Sequence, residues 1–295
     1  MLASVRSRIS GLKKDREHGA GRLTAMAIEA LEEAVSSSKA STIEAFAAEI
    51  EEVVAALAEV RPGMVSIRNY ITEFKDEFDG TIAGSKSADN LKKRATAIAR
   101  KLKTYNSDSA ARSARNAAKL ITPKSIVMTC SYSSDVCTAL ELARGKGTDF
   151  KVLAAQSRHG KLSYGEMTLE RLGKVGIVGR IIPDNFITWH AARANVVLTG
   201  ADAISLHGWM LNGVPSYTLA LVASRKKVPV YAVCTTTKID VRGFLAVLRT
   251  PEPGFDMVPL ELFEGIITEA GVLNMDDIYK MTTDDTFRGP RARSH

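Results

Sequence analysis

The chain has 295 residues, of which 45% are hydrophobic and 25% charged, and a net charge of +7. At roughly 100–200 residues per domain this length suggests two domains, and the composition excludes a mostly disordered, collagen-like or disulfide-scaffold chain. No apolar run approaches the ~18 residues of a membrane span, and the opening MLASVRSRIS lacks the apolar core of a secretory signal, so a cytoplasmic location without membrane contact is expected.

The first third reads as helices. Ile28, Leu31 and Val35 fall at i, i+3 and i+7. Phe46, Ile50, Val53, Val54 and Leu57 fall at i, i+4, i+7, i+8 and i+11. Each set lies along one helix face. Ser41 and Glu44 form an S-x-x-E capping pair at the start of the second helix, and Arg61-Pro62-Gly63 punctuates its end. A further helix is expected over 66–78, a loop over 80–87 and a basic helix over 88–104.

Charge is segregated along this region. Residues 29–60 carry eight Glu and one Lys, a balance of −7, and residues 81–120 carry ten Lys/Arg and two Asp, a balance of +8. One reading is a basic surface for nucleic acid or an acidic protein. The other is helices of opposite charge that neutralise each other, or a solvated face. The second is preferred because charge runs are usually solvated, and Tyr105 is the one aromatic residue in the basic stretch, which offers no stacking platform. Direct nucleic-acid binding by 86–119 is therefore not expected, and stays a separate reading that salt dependence can test.

Beyond about residue 120 short apolar runs alternate with helical stretches. Strands are expected at 125–129, 150–155, 176–182, 196–199 and 228–233, with helices near 135–144, 168–175, 186–192 and 216–226. Short apolar strands separated by helices imply a parallel sheet covered on both faces. The fold class is α/β: a helical N-terminal domain over 1–118, then a Rossmann-like domain with a mostly parallel sheet over 119–295. The tail Arg288–His295 is expected to fray. In such sheets ligands sit beyond the carboxyl ends of the strands, at the topological switch point.

Three post-strand segments are candidates. Thr129-Cys130-Ser131-Tyr132-Ser133-Ser134 joins a strand to a helix start, where backbone N–H groups and serine hydroxyls can cradle a phosphate; one of those serines can equally be a plain N-cap. Gly200-Ala201-Asp202 puts a carboxylate at a strand end, able to hold a sugar hydroxyl or move a proton, or simply to cap a turn. Asn212-Gly213-Val214-Pro215-Ser216 turns into another helix start, again open to an ordinary capping role. The three together are more specific than any one, because the fold brings them to one rim. Gly173, Gly176 and Gly179 do not have dinucleotide-fingerprint spacing, and no P-loop or GxSxG motif occurs. Cys130, Cys137 and Cys234 form no CxxC pair, and the five His show no metal spacing. Neither metal nor cofactor is expected.

The run Gly200-Ala201-Asp202-Ala203-Ile204, Asn212, Ser216-Tyr217-Thr218-Leu219-Ala220-Leu221 and Val228-Pro229-Val230-Tyr231 resembles the superfamily of translation initiation factor 2B alpha, beta and delta subunits, which also holds methylthioribose-1-phosphate and ribose-1,5-bisphosphate isomerases. Asp15 with His18-Gly19-Ala20, Arg61-Pro62, Thr129-x-Ser131-Tyr132-Ser133, Gln156-Ser157-Arg158 and Ile266-Ile267-Thr268-Glu269-x-Gly271 extend the match over nearly the whole chain. The resemblance implies a helical domain on a Rossmann-like one, and a homodimer through the latter or a larger homo-oligomer. It is less specific about the branch. Where the isomerases have Cys the chain has Ser131, with Cys130 one place earlier; their Asp and Asn are matched by Asp202 and Asn212; their phosphate-binding Lys is Gly213. His18 replaces an Arg, Arg61 is retained, Gln156 replaces a Glu and His159 a Pro.

A thiol, with a pKa of about 8.5, exchanges protons near neutrality, whereas a serine hydroxyl does not. Loss of a charge-assisted phosphate contact costs roughly 1.5–3 kcal/mol. The expectation is a non-catalytic regulatory protein of the initiation factor 2B type that binds a sugar phosphate or nucleotide. Arg61, Arg158, Ser131, Ser133 and the Ser216 helix start would hold phosphate, Asp202 and Asn212 would meet hydroxyls, and His18 completes the candidate set. A translation initiation factor is a candidate partner. The alternative is an aldose-phosphate isomerase using Asp202 and, more weakly, Cys130.

Overall fold

The computed structural model describes residues 2–15, 17–245 and 250–283, with backbone alone at 282 and 283; the tail Arg288–His295 lies outside the described residues. These residues divide into two compact units, one within Met1–Asp108 and one within Ser109–Asp284.

The first unit is helical: α1 (Ala3–Lys14), α2 (Ala20–Ser37), α3 (Ile43–Ala58), α4 (Val65–Ile82) and the leading part of α5 (Ala88–Ala118). Its core is the set the periodicity predicts, with Ile28, Leu31, Val35, Phe46, Ile50, Val53 and Leu57 buried alongside Ile67, Phe74, Phe78 and Leu91. Phe78 stacks on Phe74 at 5.7 Å and meets Phe46 edge-on at 5.9 Å, geometries that aromatic quadrupoles favour.

Four local details differ from the sequence expectation. Thr42, not Ser41, caps α3, its hydroxyl accepting from Ala45 N at 3.2 Å. Helix α4 continues to Ile82, through most of the expected start of a loop. Helix α5 runs fourteen residues past 104 because its continuation, SAARSARNAA, is rich in alanine, the strongest helix former. Helix α1 was not expected; Val5 and Leu12 are buried and Ile9 partly so, an i, i+4, i+7 stripe short enough to escape notice.

The second unit follows in the order β1 (Ile126–Thr129), α6 (Ser134–Gly145), β2 (Lys151–Ala155), β3 (Arg158–His159), β4 (Leu162–Ser163), α7 (Tyr164–Gly173), β5 (Val178–Ile182), α8 (Ile187–Ala191), β6 (Val196–Thr199), β7 (Ala203–Ile204), β8 (Trp209–Gly213), α9 (Ser216–Arg225), β9 (Val230–Val233), β10 (Phe255–Pro259), β11 (Gly265–Thr268), β12 (Gly271–Leu273) and α10 (Met275–Thr283). Among the described residues the main sheet runs β12-β11-β9-β6-β1-β2-β5. Every pairing in it is parallel except β11 with β12. Counting the parallel strands alone, the order is 3-2-1-4-5-6, the doubly wound arrangement. Val127, Val152, Val196, Leu198, Val233 and Ile267 share one core with Val136, Cys137 and Leu140 of α6 and with Ala114 and Ala117 of α5. Period-2 alternation sends Met128, Val197 and Thr199 to the opposite face. A second sheet, β10-β8-β7, is antiparallel and was not foreseen; its strands are short and lack an unbroken apolar run.

Candidate functional site

Strands β1 and β6 are neighbours whose connections leave toward opposite edges of the sheet, so the switch point lies between their carboxyl ends. After β1 the chain turns through Ser131 in the left-handed region, φ 58°, a conformation that costs a non-glycine residue roughly 1–2 kcal/mol. The loop is held there from outside. Ser131 N donates to Ser157 Oγ at 2.8 Å, and Ser131 O accepts from Thr168 Oγ1 at 3.3 Å. Ser157 is itself left-handed, φ 50°, and its N donates to Asp184 Oδ1 at 2.9 Å. Arg158 N donates to Asp184 Oδ2 at 3.4 Å, which sets the exposed Arg158 next to this loop. Ser133 then caps α6, accepting from Val136 N at 3.3 Å.

The loop after β6 comes in close because Gly200 has no side chain. A Cβ there would lie 2.7 Å from Ser133 Cβ, 2.8 Å from Ser133 Oγ and 3.7 Å from Asn212 Oδ1. Asp202, half-buried, is held by its N donating to Leu211 O at 2.9 Å. Asn212 and Gly213 are the last residues of β8, and a Cβ on Gly213 would sit 3.1 Å from Ser131 Cβ. Three segments far apart in sequence thus bring Ser131, Ser133, Asp202 and Asn212 to one rim, with glycines at the two closest approaches.

Cys130 and Ser216 lie beneath. Ser216 is fully buried and its hydroxyl is engaged: it accepts from Asn212 Nδ2 at 2.7 Å and donates to Gly213 O at 2.5 Å. Cys130 Sγ is 3.3 Å from the same oxygen. Since that oxygen's one proton goes to Gly213, the thiol is the donor. Burial pushes the Cys130 thiol up to about 12, only partly opposed by the Ser216 bond and reinforced by Asp256 and Asp184. The α9 start differs from that of α6 as an anion seat, because Asp256 Oδ2 already accepts from Tyr217 N at 2.9 Å.

His18 and Arg61 belong to the helical unit, where both are gathered on Asp15. Asp15 Oδ1 accepts from Glu17 N and His18 N at 2.9 Å each, and Asp15 Oδ2 lies 2.8 Å from His18 Nδ1. Arg61 donates from Nε to Leu12 O at 3.1 Å and from its guanidinium to Asp15 O. Burial pushes the Asp15 carboxyl up, but the donors from His18 and Glu17 outweigh it and hold it below the ordinary range.

The sequence reading missed a buried ion pair in the α/β unit, Lys238 Nζ to Asp135 Oδ2 at 3.2 Å. Both follow a strand's carboxyl end by a few residues, the signal that marked the other candidates. The hydroxyl of Thr199, at the end of β6, is buried without a protein hydrogen-bond partner. Among the described residues no group of three or more His, Cys, Asp or Glu is placed to hold a metal, and no helix is long and apolar enough to cross a membrane.

Comparison with known proteins assigns the family and the fold. The family model described as the initiation factor 2 subunit family matches residues 16–248. A ribose 1,5-bisphosphate isomerase of Pyrococcus furiosus is 28% identical over 288 residues, covering 89% of this chain and 88% of that protein. Among solved structures, a translation initiation factor eIF-2B of Pyrococcus horikoshii OT3 superposes with a TM-score of 0.79 at 22% identity, over 92% of this chain and 98% of that one. A chain of the tetrameric eIF2B beta2-delta2 complex of C. thermophilum gives 0.78 at 20% identity, over 96% and 94%. The helical region followed by a mostly parallel sheet is the fold of these structures. With most of its length matched by the family model, the chain belongs to the initiation factor 2 subunit family.

Proposed function

We propose that the chain is a regulatory protein of the initiation factor 2B type that binds a phosphorylated sugar at the switch point and does not turn it over. The α6 start and the hydroxyls of Ser131 and Ser133 would receive the phosphate. Asp202 and Asn212 would orient sugar hydroxyls, and Arg158 would close the rim. The observation that carries this reading is the placement of Cys130, the thiol next to Ser131 in the loop after β1. Cys130 is sealed under the loop, donates to Ser216 and has its pKa pushed up to about 12, while the residue in the loop above Gly213 is Ser131, which has no proton to exchange near neutrality.

The competing reading, an aldose-phosphate isomerase, is favoured by Asp202 at the end of β6 and by the relative named as a ribose 1,5-bisphosphate isomerase. One experiment decides. Thermal unfolding is followed with ribose 5-phosphate, ribose 1,5-bisphosphate and AMP, and the stabilising mixtures are then observed by NMR. Stabilisation by mass action without conversion supports the sensor. Conversion that Asp202→Asn abolishes refutes it.

Occupancy needs an interface to act on, and the α/β unit offers one. Phe186 and Trp189, at and near α8, are 48% and 73% exposed, and Val214 and Tyr217 at the start of α9 are also exposed; α8 and α9 pack together. Exposed aromatic clusters of this kind mark association surfaces. The reading is a homodimer formed through this face, and the tetrameric complex named above is a precedent for assembly by a chain of similar fold.

A further inference from the structure

The parallel sheet has a second edge, opposite the rim, where the chain enters each strand. The connection into β2 brings Arg144, Lys146 and Lys151 there, and the connection into β9 brings Arg225, Lys226 and Lys227. Lys124, Arg193 and Lys174 stand in the connections into β1, β6 and β5. Arg144 is half-buried and the other eight are exposed. Asp149 is the one acid in these five connections, and it faces Arg144 at 3.2 Å; the exposed Glu170, one turn back on α7, faces Lys174 at 3.4 Å. The connection into β11 reverses the sign, with Glu261 and Glu264. In the sheet order the five strands are contiguous, β9-β6-β1-β2-β5, so the cations form one band about 19 Å wide at ~4.8 Å per strand. Its neighbouring connections touch. Lys124 N donates to Asp149 O at 2.7 Å, Asn195 N donates to Ile126 O at 2.8 Å, and a Cβ on Gly176 would lie 3.9 Å from Arg144 Nη2.

Cations at a helix carboxyl end complement the helix dipole, and that accounts for Arg144, Lys146, Lys174, Arg225 and Lys226. It does not account for Lys124, six residues past the end of α5, or for Lys151, the first residue of β2. The backbone gives an independent sign. Among the described residues four non-glycine positions are left-handed: Ser131 and Ser157, which shape the rim, and Lys124 and Lys227, at φ 64° and 57°. Glycine or asparagine fills such a position at less cost, so in both places the chain keeps a lysine against the preference of its backbone. Residues held in this way cluster at functional sites.

The chemistry of the band selects its occupant. Six of the nine cations are lysine, a residue depleted at protein interfaces but suited to phosphate as a point charge. The one aromatic residue in the five connections, Phe150, is buried, so the band has no ring on which a single strand could stack its bases. Among the described residues this edge consists of helix ends and short connections, with no helix or ribbon standing out to enter a B-DNA major groove. An A-form duplex is bound without such insertion, through its phosphates and 2′-hydroxyls. Asn195, exposed within the band, has its Oδ1 accepting from Ile126 N at 2.8 Å, which leaves its Nδ2 to donate to a hydroxyl. We propose that the amino edge of the sheet, from β9 to β5, docks an RNA duplex through its phosphate backbone. The band lies a strand length from the rim and does not depend on what the rim binds.

The test is fluorescence anisotropy of the full chain with a labelled RNA duplex of about 20 base pairs, a length that covers the ~16 base pairs a shape-reading module spans. Wild-type affinity should fall about a hundredfold between roughly 50 and 200 mM salt, the loss that some four phosphate contacts produce. The paired variant Lys124→Gly with Lys227→Gly removes two charges and gives both turns the residue their backbone favours. It should unfold no earlier than wild type, bind the duplex about tenfold more weakly and lose about 2 from the salt slope. Lys151→Glu with Lys226→Glu should weaken binding further, whereas Lys86→Glu with Lys93→Glu, an equal change of charge outside the band, should leave it unaltered. Ribose 5-phosphate should stabilise the wild type and the band variants alike, and a chain that ignores the sugar phosphate yet follows this pattern keeps the inference while losing the sugar reading. Unchanged duplex binding by the glycine pair overturns the inference, as does an equal loss in the Lys86 and Lys93 variant, which would show a response to net charge alone. A DNA duplex bound as tightly as RNA, or phosphatidylserine vesicles bound in preference to either, overturns RNA as the occupant. Absence of duplex binding at about 50 mM salt, where such contacts are strongest, ends the proposal.

Discussion

Gly200 leaves less than a methyl group of room against Ser133, and that residue is the cap of the helix whose start would receive the anion. Gly200→Ala would push Ser133 off its cap. Overpacking of this kind costs roughly 1–3 kcal/mol and loss of the cap about 1 kcal/mol more. Urea unfolding should show the destabilisation, and the ribose 5-phosphate stabilisation should fall with it; a variant as stable as wild type would mean that the two loops separate freely. The cysteines make a forecast of different kind. Cys130, Cys137 and Cys234 are buried, and burial pushes each from an ordinary 9.0 to about 12. Above about pH 9 the unfolded chain releases these protons while the folded chain keeps them, so stability falls as pH rises. The slope is about 1.4 kcal/mol per pH unit for each thiol. Urea midpoints should be flat from pH 7 to 8.5 and drop between pH 9 and 10, less steeply in Cys130→Ala. A thiol reagent at pH 8 should label the chain only after unfolding.

At the scale of the element, capping separates structure from function. Ser133 and Ser163 cap α6 and α7 in the same way, accepting from Val136 N at 3.3 Å and Glu166 N at 3.4 Å. Ser133→Ala and Ser163→Ala should each cost about 1 kcal/mol, and only the first should weaken ribose 5-phosphate binding; equal loss from both would show that binding merely follows stability. The same elements show what the sequence could reveal. Strands β1, β6 and β9 were legible because each is largely buried and reads as an apolar run; the edge strand β5, with Val178, Gly179 and Arg180 exposed, was legible through its alternation with helices, and the strand order was not legible. The rim was legible where it follows those strands, at Ser131, Ser133 and Asp202. Asn212 was found too, but as part of a turn, because β8 pairs through five residues with no apolar alternation to announce a strand. Lys238 and Asp135 were not singled out, because their partnership crosses β6 and only the spatial strand order places them together. At α3, Ser41 and Thr42 are both acceptable caps by pattern; the backbone chooses Thr42, so Thr42→Ala should destabilise and Ser41→Ala should not.

At the scale of the whole molecule, part of the charge segregation meets in contacts within the helical unit. Glu32 faces Lys103 at 3.1 Å and Arg100 at 3.7 Å, and Glu77 faces Lys101 at 2.7 Å. Lys92 donates to Ala40 O at 2.7 Å and lies 5.8 Å from the centre of the Phe46 ring. These exposed pairs add little stability, and they engage Lys92, Arg100, Lys101 and Lys103, four of the ten cations in the positive run. Among the described residues the apolar face of the α/β unit has no such internal match. Its aromatic residues, Phe186, Trp189 and Tyr217, stand out around α8 and the start of α9, and burying them against a second copy would remove apolar area from water at about 25 cal/mol per Å². In an isologous contact each substitution counts twice, so Trp189→Glu places two uncompensated charges in one interface. Sedimentation at micromolar concentration should give a dimer for the wild type and a monomer for Trp189→Glu, with the circular dichroism of the two identical, because Trp189 is mostly exposed and contributes little to the fold of its own chain. If sensing works through that interface, ribose 5-phosphate should strengthen the wild-type dimer, and by reciprocal linkage the monomeric variant should bind the sugar phosphate more weakly. A wild-type chain that is already monomeric, or a Trp189→Glu dimer as tight as wild type, would remove this face from the account and leave ligand binding without a readout.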